Sequence, residues 1–492
     1  MGNEDVGVAM YLGVDLGTSS VKVVAVDERQ RVAAQSSAAL NIKRPEPLWS
    51  EQDPEDWWRA TVTAIRTLPA EIRQAVRSIG LSGQMHGAVL LDPSDRVLRP
   101  AILWNDGRSG AESSELERRE PRSREITGNL AMPGFTAPKL LWVKRHEPET
   151  FARTRTVLLP KDYIRLRLTG EKISDMSDAA GTLWLDVRRR VWSDAMLDAT
   201  HLKRSHMPGL VEGTEAAGQL RTEIASLLGM DPVNVAGGAG DNAASAVGTG
   251  VVASGQAFLS LGTSGVLFVV TDEFRPAPEQ AAHAFCHAVP QTWHQMSVML
   301  SAASAVDWAI QITGMSDVHA ALQAAESRGL GPETPIFLPY LSGERTPHND
   351  PFARGVFFGL TSTTTGADLI VSVLAGVALG LADGLDTLAH AGSNIEAISL
   401  VGGAARFDYW ALLIASTLNR PLLRHSGGEI GAAFGAASLG RAAVTHEDPV
   451  ALFTGPPVDR IVAPDHSMVA LLRERRATYI SLYAQIKHLF RS

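Results

Sequence analysis

The chain has 492 residues, 45% of them hydrophobic and 20% charged, with a formal charge of −8. That length favours two or more domains, and the composition is that of a folded globular chain, not a disordered one. The acidic balance argues against nucleic acid as a partner. A single cysteine excludes an internal disulfide, and neither a secretory signal nor an apolar run of about 20 residues is evident, which excludes a membrane span.

Residues 1–9 read as an N-terminal extension, with regular structure starting at Tyr11. The first element is "VDLGTSSVKVVAVD" (Val14 to Asp27), an apolar strand, a glycine turn and an alternating strand, which together make a β-hairpin. The same text returns as "LSLGTSGVLFVVTD" (Leu259 to Asp272). The offset is 262 − 17 = 245 residues, half the chain, and seven of 14 positions are identical. A period that long means a duplicated domain, not a solenoid. Glycine turns flanked by hydroxyls expose N–H groups suited to phosphate oxygens. Gly17, Thr18 and Ser19 in the first turn, with Gly262 and Thr263 in the second, are therefore phosphate-binding candidates. Asp15 precedes only the first turn, and its carboxylate suits a Mg²⁺ ion that keeps most of its waters. The GxxxxGK[ST] loop is missing.

Between the hairpins, Pro54 to Thr67 has a helical pattern, and "IGLSG" runs as a strand into the loop "QMHG". There His86 offers a hydrogen-bond partner for a hydroxyl and Met85 an adaptable apolar wall. "AILWNDGRSG" (Ala101 to Gly110) follows, with Trp104 able to cover an apolar ligand face and Asn105 to bond hydroxyls. Asp106 and Arg108 there could pair with each other or reach a ligand. In "VAGGAGDNAASAVGTG" (Val235 to Gly250) a strand meets a glycine-rich turn and a helix start. Asp241 at that turn is either a helix N-cap or a reacting group. Cys286, in "AHAFCHAVP" beside His283 and His287, reads as a buried strand cysteine rather than a zinc ligand. "FLPYLSGERTPHNDPFARGVFFGL" (Phe337 to Leu360) is a polar connection near the cleft, and no catalytic role is assigned to its Glu344, Arg345, His348 or Asn349. "SLVGGAARFDYW" (Ser399 to Trp410) places a strand before a diglycine turn, and "GGEIGAAFGAASLG" (Gly427 to Gly440) is a small-residue packing helix.

The paired hairpins resemble the ribonuclease H-like ATPases that include hexokinase and actin. "GFTAPKLLWVKRH" (Gly134 to His146), with "GVFFGL" and "DLIVSVLA" (Gly355 to Ala375), narrows the resemblance to the FGGY carbohydrate kinases. It runs from Met10 to about the C-terminus and departs at Ala375, where an acidic residue is expected. The resemblance implies an ATP-dependent sugar kinase with Asp241 as catalytic base. It implies adenosine binding at Gly402, Gly403 and Ala404, the last in place of a common third glycine. "QMHG" is similar to the loop of those members that phosphorylate D-xylulose at O5, where Met and His contact the sugar. Trp104, Asn105 and Asp106 are carried over as sugar-side residues, and Arg108 is left as structural.

The expected fold is α/β: two ribonuclease H-like domains related by duplication, 10–247 and 248–492, with the active site in the cleft between them. The first carries the Asp15 hairpin, sugar loops and base; the second carries the Thr263 hairpin and adenosine turn. A cytoplasmic location follows, with a sugar and ATP as partners, Mg²⁺ as cofactor and a homodimer by analogy. Two alternatives stay open: an FGGY kinase for ribulose, another ketose, gluconate or glycerol, and an actin- or chaperone-like ATPase without a sugar pocket.

Overall fold

Each half of the chain builds one seven-stranded sheet around its glycine-turn hairpin. The computed structural model describes residues 8–426 and 431–491, without the side chains of Ala404 and Ala405. The first hairpin, Met10–Leu16 with Ser20–Asp27, is antiparallel. Val32–Ala39 extends it on one side, and Val76–Gly83 runs parallel to Met10–Leu16 on the other. Asn234–Ala236 and then Ala216–Gln219 complete the edge. Leu12, Val14, Leu16, Val21, Val23 and Ala25 all point into one core. Helix Pro54–Thr67 covers that face with Trp57, Ala64 and Ile65. Asp53 caps the helix by accepting from Glu55 N, with Pro54 at the first helical position.

The second sheet repeats this pattern of neighbours. Ala257–Leu261 and Gly265–Thr271 form its hairpin, flanked by antiparallel Trp293–Met299 and parallel Ile398–Val401. Leu422–His425 and Val458–Val462 follow. The edge strand comes earlier in the chain than its neighbour in the first sheet and later in the second, so the repeat stops short of it. The duplication also slips. Leu16 pairs with Val21, whereas Leu261 pairs with Gly265, one residue short of the aligned Val266. The tighter second turn puts Leu267 and Val269 on the core face instead of the residues aligned with Val21 and Val23. A one-residue slip exchanges the faces of a strand.

Helix Gly366–His390, capped by a reciprocal Thr365–Asp368 pair, fills the core of the second half. By length and composition it could cross a membrane, contrary to the sequence expectation, but 89% of its most apolar window is buried in the protein. Ala375 is buried on it, where an acidic side chain would need a partner. Cys286 is buried in strand His283–Cys286, with its thiol toward Val187 O.

The division at residue 247 separates the sheets but not their covering helices. Helix Ala432–Thr445, from the second segment, lies on the first sheet and on helix Asp241–Gly248. A Cβ at Gly13, Gly80 or Gly435 would sit 1.7–1.8 Å from Ala433 O, Ala436 O or Ala244 O. The glycines and alanines are there because backbone meets backbone. The first four residues of "GGEIGAAFGAASLG" lie outside the described residues.

Candidate active site

Three parallel strands end side by side and set the site. Leu16 pairs with Gly83, and Gly83 pairs with Gly240. Asp15, Gln84 and Asp241 therefore collect at the carboxyl ends of the strands, where open α/β sheets bind ligands. Gly240 occupies the cap position of helix Asp241–Gly248, and Asp241 is its first helical residue. The N-cap alternative fails on that register. Asp241 Oδ1 accepts only locally, from Asn242 N at 2.7 Å and Asn242 Nδ2 at 3.0 Å. Burial, then the charge of Asp15, push its carboxyl up to about 7. Burial also raises Asp15, against a hydrogen bond from Ser82 Oγ at 3.1 Å and the charge of Lys22.

A cavity of about 710 Å³ opens here, within the usual range for small-molecule sites. Asp15 and Lys22 line it from the first hairpin, Asn242 and Ser245 from the Asp241 helix, and Ser260 and Gly402 from the second half. Gly402 has φ +100, and a Cβ there would lie 2.5 Å from Leu261 O, so this turn admits only glycine. Gly403 opens a 3₁₀ turn and is exposed. The side chain of Ala404 lies outside the described residues.

The two glycine turns differ in what they hold. Gly262 and Thr263 are exposed, and their carbonyls accept from Ala303 N and Ala302 N at 2.9 Å, at the start of helix Ala303–Thr313. In the first turn Gly17 N donates to Ser20 O at 3.0 Å, and Ser19 O accepts from Leu40 N at 2.8 Å. Thr18 does not offer a free hydroxyl for phosphate, as the turn chemistry alone predicts. It donates to Gln84 Oε1 and accepts from Trp104 Nε1, both at 3.0 Å. Gln84 continues the network to Gln52 at 3.0 Å, and Gln52 returns to Thr18 O at 2.7 Å. Gln84 enters the sequence reading only as a member of the QMHG loop, with no role of its own, and Gln52 not at all; a buried glutamine at a strand end is the signal both give.

Of the sugar-side candidates, Trp104 is 45% exposed and Met85 lies against Gly240. His86 has φ +68, unusual for a residue with a Cβ, and its Nδ1 lies 2.6 Å from Gly181 O. Burial lowers its pKa to about 3, so the ring is neutral with its proton on Nδ1. The loop is held by the Gly134–His146 segment. Lys139 Nζ donates to His86 O at 2.7 Å and to Gly134 O at 2.8 Å, and the Phe135 ring packs edge-on to the imidazole at 4.7 Å. Among the described residues Asn105 Oδ1 is buried without a donor, an acceptor left for a ligand.

Asp106 requires a correction. Ser50 N, Arg108 N and two guanidinium nitrogens of Arg108 reach its two oxygens at 2.6–3.0 Å. Four donors fill a carboxylate. Its side chain is fully buried in the ion pair with Arg108, which also meets Glu51. Asp106 supports the Trp104–Asn105 loop and does not face a ligand.

The FGGY carbohydrate kinase models match in two parts, the N-terminal domain over residues 10–248 and the C-terminal domain over residues 257–444. The xylulose kinase of Escherichia coli (strain K12) is 53% identical over 97% of this chain and 99% of its own. A solved xyloylose kinase from Brucella ovis superposes with a TM-score of 0.95 at 51% identity, covering 98% of this chain and all of the other. A gluconate kinase from Lactobacillus acidophilus superposes almost as well, at 0.93, with 26% identity over 98% of both chains.

Proposed function

We propose that this chain, which belongs to the FGGY family of carbohydrate kinases, transfers the γ-phosphoryl group of ATP to O5 of D-xylulose. The products are D-xylulose 5-phosphate and ADP. The observation that carries the reading is the row of three strand ends that brings Asp241, Asp15 and the Gln84–His86 loop together. A fold shared equally with a gluconate kinase cannot choose the sugar, so the choice rests on the loops and on the identity to xylulose kinases.

Asp241 takes the proton of the C5 hydroxyl as that oxygen attacks the γ-phosphorus; the bond to the bridging oxygen breaks and ADP leaves. O5 is free only in the acyclic keto form, because ring closure consumes it, so the pocket must hold an extended sugar. His86 Nε2 accepts from a sugar hydroxyl, since Nδ1 is engaged with Gly181. The Trp104 face, tethered through its N–H to Thr18, covers the chain. Gly17 N and Gly262 N close their turns by donating to Ser20 O and Ser264 O, so these glycines shape the turns from which Ser19 N and Thr263 N donate to the phosphates, and Gly402 and Gly403 admit adenosine closely. The two lobes that close on the substrates are the two sheets with their covering helices, helix Ala432–Thr445 of segment 248–492 moving with the sheet of segment 10–247.

Asp15 fits a metal-holding role: it lines the cavity and accepts one hydrogen bond, and no cluster of three acidic, histidine or cysteine ligands exists among the described residues. That suits a Mg²⁺ ion bound through waters, one carboxylate and phosphate oxygens. When bound it would neutralise phosphate charge in the loose transition state.

ADP release from ATP and Mg²⁺ is measured with D-xylulose, D-ribulose, L-ribulose, D-gluconate and glycerol, beside Asp241→Ala. Preference for D-xylulose, lost in the variant, is the expected result. Preference for another sugar moves the substrate and keeps the kinase; sugar-independent turnover untouched by the mutation removes Asp241 from the chemistry.

A further inference from the structure

The segment that ends in Asp241 is gripped by a buried polar cluster shared by helix Pro160–Thr169, strand Ile173–Asp175 and helix Met176–Ala180. Arg165 donates to Ala236 O at 2.5 Å and to Gly237 O at 2.6 Å. Lys161 Nζ lies 2.5 Å from Asp162, 2.8 Å from Asp175 and 3.4 Å from Asp178. All five side chains are at most 1% exposed. Asp175 Oδ2 accepts from Ser177 Oγ at 2.5 Å, and Ser177 Oγ accepts from Gly240 N at 3.1 Å. An unbroken line of polar contacts therefore runs from Lys161 through Asp175 and Ser177 to the N–H of Gly240, the residue before Asp241.

Two cations and three carboxylates out of water are costly, and well-packed apolar residues would hold a fold as well. Asp175 also caps the short helix Met176–Ala180, accepting from Ser177 N and Asp178 N. A cap needs neither Lys161 nor a bond to Gly240. Gly240 has no side chain of its own, and a Cβ would lie 2.9 Å from Met85 Cγ and Sδ. Its orientation is thus set through its N–H and strand pairing, and any shift moves both the base and the wall of the sugar pocket.

We propose that Ser177, held by Asp175 and Lys161, is a positioning residue for phosphoryl transfer: it fixes the Gly240 peptide and so aims the Asp241 carboxylate at the acceptor hydroxyl. The proposal rests on Asp241 as the base. A displacement of about 1 Å at such a group costs on the order of 100-fold in rate.

The test compares Ser177→Ala and Ser177→Thr with the parent enzyme, reading kcat, KM for D-xylulose, KM for ATP and Tm. Ser177→Ala is expected to lower kcat by about 10- to 100-fold while both KM values stay within about twofold. Ser177→Thr, which keeps the hydroxyl, is expected to recover most of kcat. Two outcomes overturn the proposal: an Ala variant with unchanged kcat per folded enzyme, whatever its Tm, or a Thr variant as slow as Ala. Asp241→Asn in the same series separates the failures. If it keeps activity, the base assignment falls; if it is inactive while Ser177→Ala is normal, only the role of Ser177 falls.

Discussion

Asp241 is a carboxylate whose surroundings favour the neutral acid near pH 7, because burial and the Asp15 charge both oppose ionisation. A general base works ionised, so kcat is expected to fall as pH drops through about 7; the pH profile of kcat checks it. Asp241→Asn should lower kcat by about 10²–10⁴-fold. The same residue should cost stability. Its folded pKa is raised, so its stabilising contribution is present at low pH and lost as pH rises through about 7. The Tm of Asp241→Asn is therefore expected to exceed that of the parent at pH 8, with the gap closing toward pH 4. Lys139 tests the loop at the same scale. Its Nζ holds two carbonyls, one of them His86 O, and reaches no phosphate-side group, while burial holds its pKa well below the usual lysine range. Lys139→Met should raise KM for the sugar by about tenfold, the scale of losing one or two buried hydrogen bonds, and leave KM for ATP unchanged. Steady-state kinetics in each substrate would show otherwise if the ATP constant moved as well.

At the scale of elements, the contact of helix Ala432–Thr445 with the first sheet sets the tolerance for side chains. Gly80→Ala would drive a Cβ into Ala436 O, and backbone on both sides cannot yield as a side chain does. The variant should lose about 3 kcal/mol or more, the upper end for an overpacked core, read as a fall in denaturation midpoint. Little change would mean that the helix can slide off the strands. The hairpin repeat makes a related point. Its seven identities are legible in sequence, yet the second strand pairs one residue out of register, because a turn one residue shorter is invisible to an alignment. Identity marks the shared turn; only pairing decides which face Val266 and Leu267 present.

For the whole molecule, the site needs both halves of the chain, since its cavity is lined by Asp15 and Asn242 on one side and Ser260 and Gly402 on the other. On the proposal that Asp15 holds Mg²⁺ through water, the ion should arrive with the nucleotide. Chelation is expected to abolish transfer and leave the Tm of the nucleotide-free protein unchanged; a marked fall in Tm would reveal a structural metal.

The sequence by itself determined the duplicated α/β plan, the glycine turns, the loop with Met85 and His86, and Asp241 at a strand-to-helix junction. These are local matters: periodicity, turn chemistry and spacing act within a few residues of one another. Tertiary structure alone decided that Ser50 N completes the seal on Asp106, that Thr18 serves Trp104 and Gln84, and that a helix from the second segment covers the first sheet. Those outcomes depend on which distant groups compete for the same donors and the same space, and that competition exists only once the chain is packed.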